Sequence, residues 1–212
     1  MEPTEHNRRA WDEIHRQRAE ALAGERGLPK QVRHALADLT EKRVLHLQCG
    51  TGEATAELAD LGGIVTGVDS SGAALEAARE RWPSILWVQA DPQALPGELR
   101  RGRSDLVYSG LGSLTAVSDL DTWLRGVAAT LRSGGDFLLY EEHPVALVVD
   151  GLMHWRESYF DPSSRRLGQI VTSAARNGLA LRALEEYPAV GDGWRRHDAR
   201  VPGTFLLYAQ RA

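Results

Sequence analysis

Residues 44–52 read VLHLQCGTG. Apolar positions 44, 45 and 47 lead into a cysteine, a glycine, one spacer and a second glycine. This is the pattern of a buried strand running into a tight turn at a ligand. Strands of this kind often carry an acidic residue where this one has His46. Working outward, EATAELADL (53–61) has helical spacing and stops at Gly62-Gly63, and IVTGVD (64–69) is a second strand. Ser71 is placed to cap a helix through Arg81, which Pro83 ends, and ILWVQA (85–90) is a third strand. After an arginine-rich loop (100–103), SDLVYSG (104–110) makes a fourth strand. Ser118 then caps a helix with Leu120, Trp123, Leu124, Val127 and Leu131 on its apolar face. SGG (133–135) ends that helix, and DFLLYEEH (136–143) is the fifth strand. An irregular segment, 144–164, precedes a helix over 166–178. LALRALEEY (179–187) and GTFLLYAQR (203–211) close the pattern with only a loop between them. Upstream, residues 5–40 hold two helical patterns broken by GERGLP (24–29).

Strands alternating with helices define an α/β fold. The expected architecture is a doubly wound, Rossmann-like, seven-stranded and mostly parallel sheet. Helices cover both faces, and an antiparallel strand closes the C-terminal edge. The chain of 212 residues reads as one domain over 1–212. A helical cap (1–42) precedes a ligand-binding core (43–145), and 146–212 supplies an acceptor-side segment and the last strands. Such sheets bind ligands at the carboxyl ends of their strands, which is where the glycine turn falls.

The bulk numbers narrow the function. Apolar content is 42% and charged content 25%, an ordinary globular balance. No apolar run approaches the roughly 20 residues of a membrane span. The polar N-terminus lacks a secretory leader's apolar stretch, so the expected location is cytoplasmic. One cysteine, Cys49, excludes an intrachain disulfide and a cysteine-cluster metal site. A net charge of −4 argues against a nucleic-acid partner.

Glycines at 50 and 52 allow the turn to bend sharply and a ligand to approach closely. Asp69 ends the second strand, where a carboxylate can accept two hydrogen bonds from ribose hydroxyls. Asp91 ends the third, where a carboxylate can meet an adenine amino group. The rival ligand is a dinucleotide, but its fingerprint needs a third glycine where this turn has Thr55.

With LHLQCGTG (45–52), VTGVDSSGAALEAARER (65–81), QADPQALP (89–96), SDLVYSGLGSL (104–114) and VAATLRSGGDFLLYEEHPV (127–145) in view, the sequence resembles the class I S-adenosylmethionine-dependent methyltransferases. It is similar to a small-molecule subgroup with the LHLQCGTG motif. The resemblance covers residues 43–145 and extends weakly to the C-terminus. It implies S-adenosyl-L-methionine as cofactor and S-adenosyl-L-homocysteine as product. It also implies a cofactor site of His46, Gln48, Cys49, Gly50, Gly52, Asp69, Ser70, Asp91, Pro92, Ser109 and Gly110. Within it the glycine turn contacts the methionine part, Asp69 the ribose and Asp91 the adenine. The departure from the family is His46, where the usual residue is acidic. A neutral imidazole can accept one hydrogen bond in the carboxylate's place, but a protonated one would repel the cationic cofactor. If the imidazole takes that role with an unperturbed pKa near 6.5, binding should weaken as the pH falls; the other reading is that His46 packs under the turn and bonds the backbone.

The implied reaction is in-line displacement of the methyl onto a small organic acceptor. The acceptor pocket is expected above the fourth and fifth strand ends. Trp11, Trp155 and Tyr159 are its candidate walls, with Met153, Phe160, Trp194 and His197 nearby. His143 is the first candidate for general base or acceptor-orienting residue, with Glu142 and His154 behind it. The expected partners are a small-molecule acceptor, no nucleic acid and no membrane, in a monomer or homodimer. An NAD(P)-dependent oxidoreductase and a non-catalytic cofactor-binding protein are the alternatives.

Overall fold

A computed structural model describes residues 27–149, 154–161, 165–188 and 199–212. The first of the two N-terminal helical patterns, with Trp11, lies outside these residues, as do Met153, Trp194 and His197.

The described elements run α1 (Lys30–Ala35), β1 (Arg43–Leu47), α2 (Glu53–Asp60), β2 (Ile64–Asp69), α3 (Gly72–Arg81), β3 (Leu86–Gln89) and β4 (Ser104–Ser109). A 3-10 turn (Ser113–Ala116) then leads to α4 (Leu120–Thr130), β5 (Leu131–Glu142), α5 (Pro144–Val148), α6 (Leu167–Arg176), β6 (Leu179–Pro188) and β7 (Pro202–Arg211). They form one seven-stranded sheet in the order β3-β2-β1-β4-β5-β7-β6. Strands β1 to β5 pair in parallel, and β7 runs antiparallel to both β5 and β6. The last two strands form the antiparallel pair expected at one edge, with β7 against β5 and β6 outermost. The burial pattern agrees, because most of β6 is exposed while Phe205, Leu206, Leu207 and Ala209 of β7 are buried.

The central strands are buried on both faces, as parallel sheets require. Leu45, Leu47, Val107, Phe137 and Leu139 pack on one side with Trp123, Leu124 and Val127 of α4 and Ile170 and Ala174 of α6. Val44, Leu106, Tyr108, Leu138 and Tyr140 pack on the other with Val32 of α1 and Leu58 of α2. The period of two along each strand sets which residues meet which layer. Trp123 is the largest fully buried side chain, edge-on to Phe137 at 5.9 Å between ring centroids.

Two boundaries differ from the sequence reading. Asp119, not Ser118, caps α4, its carboxylate accepting the Thr122 N–H at 3.1 Å. The Ser118 amide and hydroxyl instead donate to Gln93 Oε1. The SGG stretch also does not stop a helix, because α4 has already ended at Thr130 and 133–135 lies inside β5. The Ser71 cap is as expected, its hydroxyl accepting the Ala74 N–H at 3.1 Å.

Candidate active site

The sheet brings the ends of β1, β2 and β4 side by side, with β3 beyond β2 and β5 beyond β4. The turn after β1 is tied to β2 through Asp69. One carboxylate oxygen accepts the Gly50 N–H at 2.7 Å and the other the Ser71 N–H at 2.9 Å. Asp69 is buried. Asp91 is partly buried past the end of β3 and accepts the Gln93 N–H at 2.8 Å. Ser70 O accepts from the Gln89 side chain at 3.1 Å, and Pro92 is buried.

Gly52 has φ +91, a left-handed value that opens α2. The sequence offers ligand approach as the reason for a glycine here, but the structure gives a packing reason. A Cβ on Gly52 would lie 2.5 Å from the Trp87 ring, and one on Gly67 would lie 2.4 Å from it. The indole of β3 thus fills the space that side chains would need at two points beneath the turn.

His46 is buried beneath the same turn, its ring 4.8 Å from that of Tyr108. Its Nδ1 lies 2.8 Å from Thr55 Oγ1 in the first turn of α2. Burial pulls its pKa down to about 3. Burial disfavours the imidazolium, which favours the packing reading of His46 over one that titrates near 6.5. Burial also pushes the Cys49 thiol well above its usual range, with the Asp69 charge adding to the effect. A thiol held protonated is a poor nucleophile, which fits a packing role.

Gln48 has a left-handed backbone, φ +55, unusual for a residue with a side chain. Its carboxamide bridges two elements. Nε2 donates to Ser113 O at 2.7 Å, and Oε1 accepts from Ser109 Oγ at 3.3 Å.

The sequence reading overlooked Glu141. This carboxylate at the end of β5 is buried and accepts four hydrogen bonds. They come from the Gly112 N–H (2.8 Å), the Ser113 hydroxyl (3.1 Å), the Leu114 N–H (3.0 Å) and the Glu142 N–H (2.8 Å). Burial pushes its pKa up, and the backbone donors oppose that shift. Its neighbour Glu142, the residue singled out from sequence, is only partly buried.

His143 is buried at the start of α5, and Nδ1 accepts the Val145 N–H at 3.2 Å. Nε2 lies 2.9 Å from Glu186 Oε1 of β6, a close approach without hydrogen-bond alignment. Burial lowers the His143 pKa against the opposing pull of Glu186. Trp155 and Phe160 are exposed, as is His154, and the Tyr159 hydroxyl accepts the Leu167 N–H at 3.2 Å.

The chemistry of this set separates the candidate ligands. A dinucleotide would place its pyrophosphate at the N-terminus of α2. There Glu53 occupies the first turn, held by Thr51 Oγ1 at 2.7 Å and by Arg81 at 2.5 Å, and Asp69 already takes the Gly50 amide. Two carboxylates, one of them paired with Arg81, thus stand beside the place a pyrophosphate would take. Carboxylates at the strand ends suit a ligand that offers hydroxyl and amino donors, which S-adenosylmethionine does.

The comparisons with known proteins agree. Residues 44–135 match the family model described as a methyltransferase domain. The chain is 38% identical over 105 residues to an uncharacterized methyltransferase of Synechocystis sp., covering 48% of each protein. It is 40% identical over 135 residues to a trans-aconitate 2-methyltransferase of Paracidovorax citrulli, covering 58% of this chain and 50% of that one. The chain spans about half the length of these curated relatives. An S-adenosylmethionine-dependent methyltransferase structure from Mesorhizobium loti shares the fold, with a TM-score of 0.70 and 24% identity over 85% of this chain and 96% of that one. Residues 44–135 thus match a methyltransferase domain, and the fold is that of S-adenosylmethionine-dependent methyltransferases. The cofactor of this class is S-adenosylmethionine.

Proposed function

We propose that the protein methylates a small organic acceptor, with the cofactor held by the turn after β1 and by the ends of β2, β3 and β4. The observation that carries this reading is the pair of aspartates at neighbouring strand ends, one of which already takes the Gly50 amide of the glycine turn. When bound, S-adenosylmethionine supplies an activated methyl group on its sulfonium. Asp69 accepts from the ribose hydroxyls while keeping the turn in place, and Asp91 accepts from the adenine amino group. Gln48, Ser109 and Gly110 form the wall toward β4.

The residues then have to orient an acceptor, exclude water and take up a proton where one is released. Alignment alone contributes about 7–11 kcal/mol in well-oriented reactions. Leu111, Leu147, Trp155 and Phe160 are exposed apolar groups on the segments that follow β4 and β5. In this reading they and Tyr159 contact the apolar part of the acceptor. His143, whose Nδ1 takes the Val145 N–H and whose Nε2 lies close to Glu186, orients the segment after β5. Proton acceptance falls to Glu142 or His154. A relative named for trans-aconitate supports an acceptor of low molecular weight.

Calorimetry with S-adenosylhomocysteine and with NAD tests the cofactor. Micromolar binding of the first and none of the second is expected, and the reverse would overturn the reading. A panel of small carboxylic acids, phenols and amines with methyl-labelled cofactor tests the acceptor. Labelling of protein or RNA alone would overturn the small-molecule assignment.

A further inference from the structure

We propose that Glu141 is a positioning residue that fixes the shape of the cofactor turn from two strands away, through Ser113 and Gln48. The proposal rests on the reading that this turn holds S-adenosylmethionine.

A carboxylate offers about four lone-pair sites. Glu141 fills that number with the donors of Gly112, Ser113, Leu114 and Glu142. It is 3% exposed. A carboxylate so placed takes up a proton only by releasing one of its donors, so it is not a base for the acceptor. Three of the donors belong to one short loop after β4. Gly112 opens the 3-10 turn there with φ +85. Glu141 therefore anchors that loop onto β5.

Ser113 passes the constraint on. Its hydroxyl bonds Glu141, and its carbonyl accepts from Gln48 Nε2. The other end of the Gln48 amide accepts from Ser109 at the end of β4. Gln48 has a backbone shape that residues with a side chain avoid. Fixing both ends of its side chain holds that shape. Gln48 is followed by Cys49 and by Gly50, whose amide bonds Asp69. An unbroken path of side-chain and backbone groups thus runs from β5 across β4 to β1 and β2.

Glu141→Gln keeps the shape but replaces one acceptor oxygen with a donor that faces N–H groups. Affinity for S-adenosylhomocysteine should fall about 10-fold or more. Gln48→Ala should also weaken binding. In the double variant the combined loss should be smaller than the product of the single losses by at least about 3-fold. Independent effects that multiply would overturn the proposal.

Hydrogen exchange on the ligand-free protein reads the same path without any cofactor. Glu141→Gln should speed exchange of the Gly50 amide. Gln48→Ala should speed exchange at Gly112 and Leu114, since the coupling runs both ways. Unchanged exchange at Gly50 in a folded Glu141→Gln protein overturns the proposal. Where Glu141→Gln does not fold, unchanged exchange at both Gly112 and Leu114 in Gln48→Ala does so instead. If wild type fails to bind S-adenosylhomocysteine, the methyl-transfer reading fails, and the exchange data still decide whether Glu141 shapes the turn.

Discussion

His46 and Thr55 are hydrogen-bond partners, with Nδ1 and Oγ1 2.8 Å apart. Each is a departure from a familiar nucleotide-binding pattern. His46 stands where an acidic residue is usual, and Thr55 stands where a dinucleotide turn has its third glycine. The two departures meet in one bond that pins the start of α2 to β1. The histidine is a fastening beneath the turn.

A pH dependence follows, though not the one the sequence suggests. The folded pKa is about 3, below the unfolded value near 6.5. Above pH 6.5 neither state binds the proton and His46 adds no slope. Between pH 6.5 and 3 the unfolded state binds it first, so stability falls as the pH falls. The slope approaches about 1.4 kcal/mol per pH unit. Urea midpoints of wild type and His46→Gln between pH 5 and 8 would show it. The variant should be less stable at pH 7.5 and have a shallower decline. Equal slopes would mean that His46 protonates in the folded state. Cofactor affinity should carry no His46 titration over the same range.

Asp69→Ala removes the charged acceptor of the Gly50 and Ser71 amides as well as the proposed ribose contact. A charge-assisted hydrogen bond contributes about 1.5–3 kcal/mol. Affinity for S-adenosylhomocysteine should fall roughly 10- to 100-fold by calorimetry. Unchanged affinity would remove Asp69 from the site.

Gly52→Ala and Gly67→Ala should both destabilise, but for reasons that a second substitution separates. At each, the new methyl meets the Trp87 ring. Overpacking of this kind costs about 1–3 kcal/mol. Gly52 also has positive φ, while Gly67 does not. Trp87→Leu should therefore rescue much of the Gly67→Ala loss and leave about 1–2 kcal/mol of the Gly52→Ala loss in place. Thermal unfolding of the three single and two double variants checks this, and equal rescue at both sites would discard the backbone explanation.

Trp123 is fully buried, and its indole N–H has no hydrogen-bond partner among the described residues. An unpaired buried donor costs about 1–3 kcal/mol. Trp123→Phe removes that donor and leaves a small void. The two effects oppose each other, so stability should change by less than about 1 kcal/mol, whereas Trp123→Ala should lose about 3–5 kcal/mol. A large loss in Trp123→Phe would show that packing alone governs the site.

The fold was legible where one physical signal dominated. The apolar run of β1, the Gly62-Gly63 stop and the Ser71 cap each had one reading. Signals competed elsewhere. Ser118 and Asp119 are both capping residue types, and the choice between them rests on Gln93, distant in sequence, which takes the serine. The start of β5 was hidden because Ser133-Gly134-Gly135 looks like a helix stop. Glu141 and Glu142 are adjacent residues on opposite faces of β5. Both faces of that strand are covered, so alternation alone could not say which carboxylate turns toward the loop after β4. A left-handed glutamine leaves no mark in sequence at all. Gln48 shows its conformation only through the neighbours that hold it.

The place of β7 bears on how the protein is made. A ribosome delivers β1 to β6 before β7, yet among the described residues β6 pairs in the sheet with β7 alone. Until β7 emerges, β5 carries an open flank of unpaired backbone groups and β6 has nowhere to dock. Open strand flanks invite pairing with other chains. A nascent chain halted before residue 202 should therefore recruit chaperones or aggregate, even though its entire glycine turn and strand-end acids have already been synthesised.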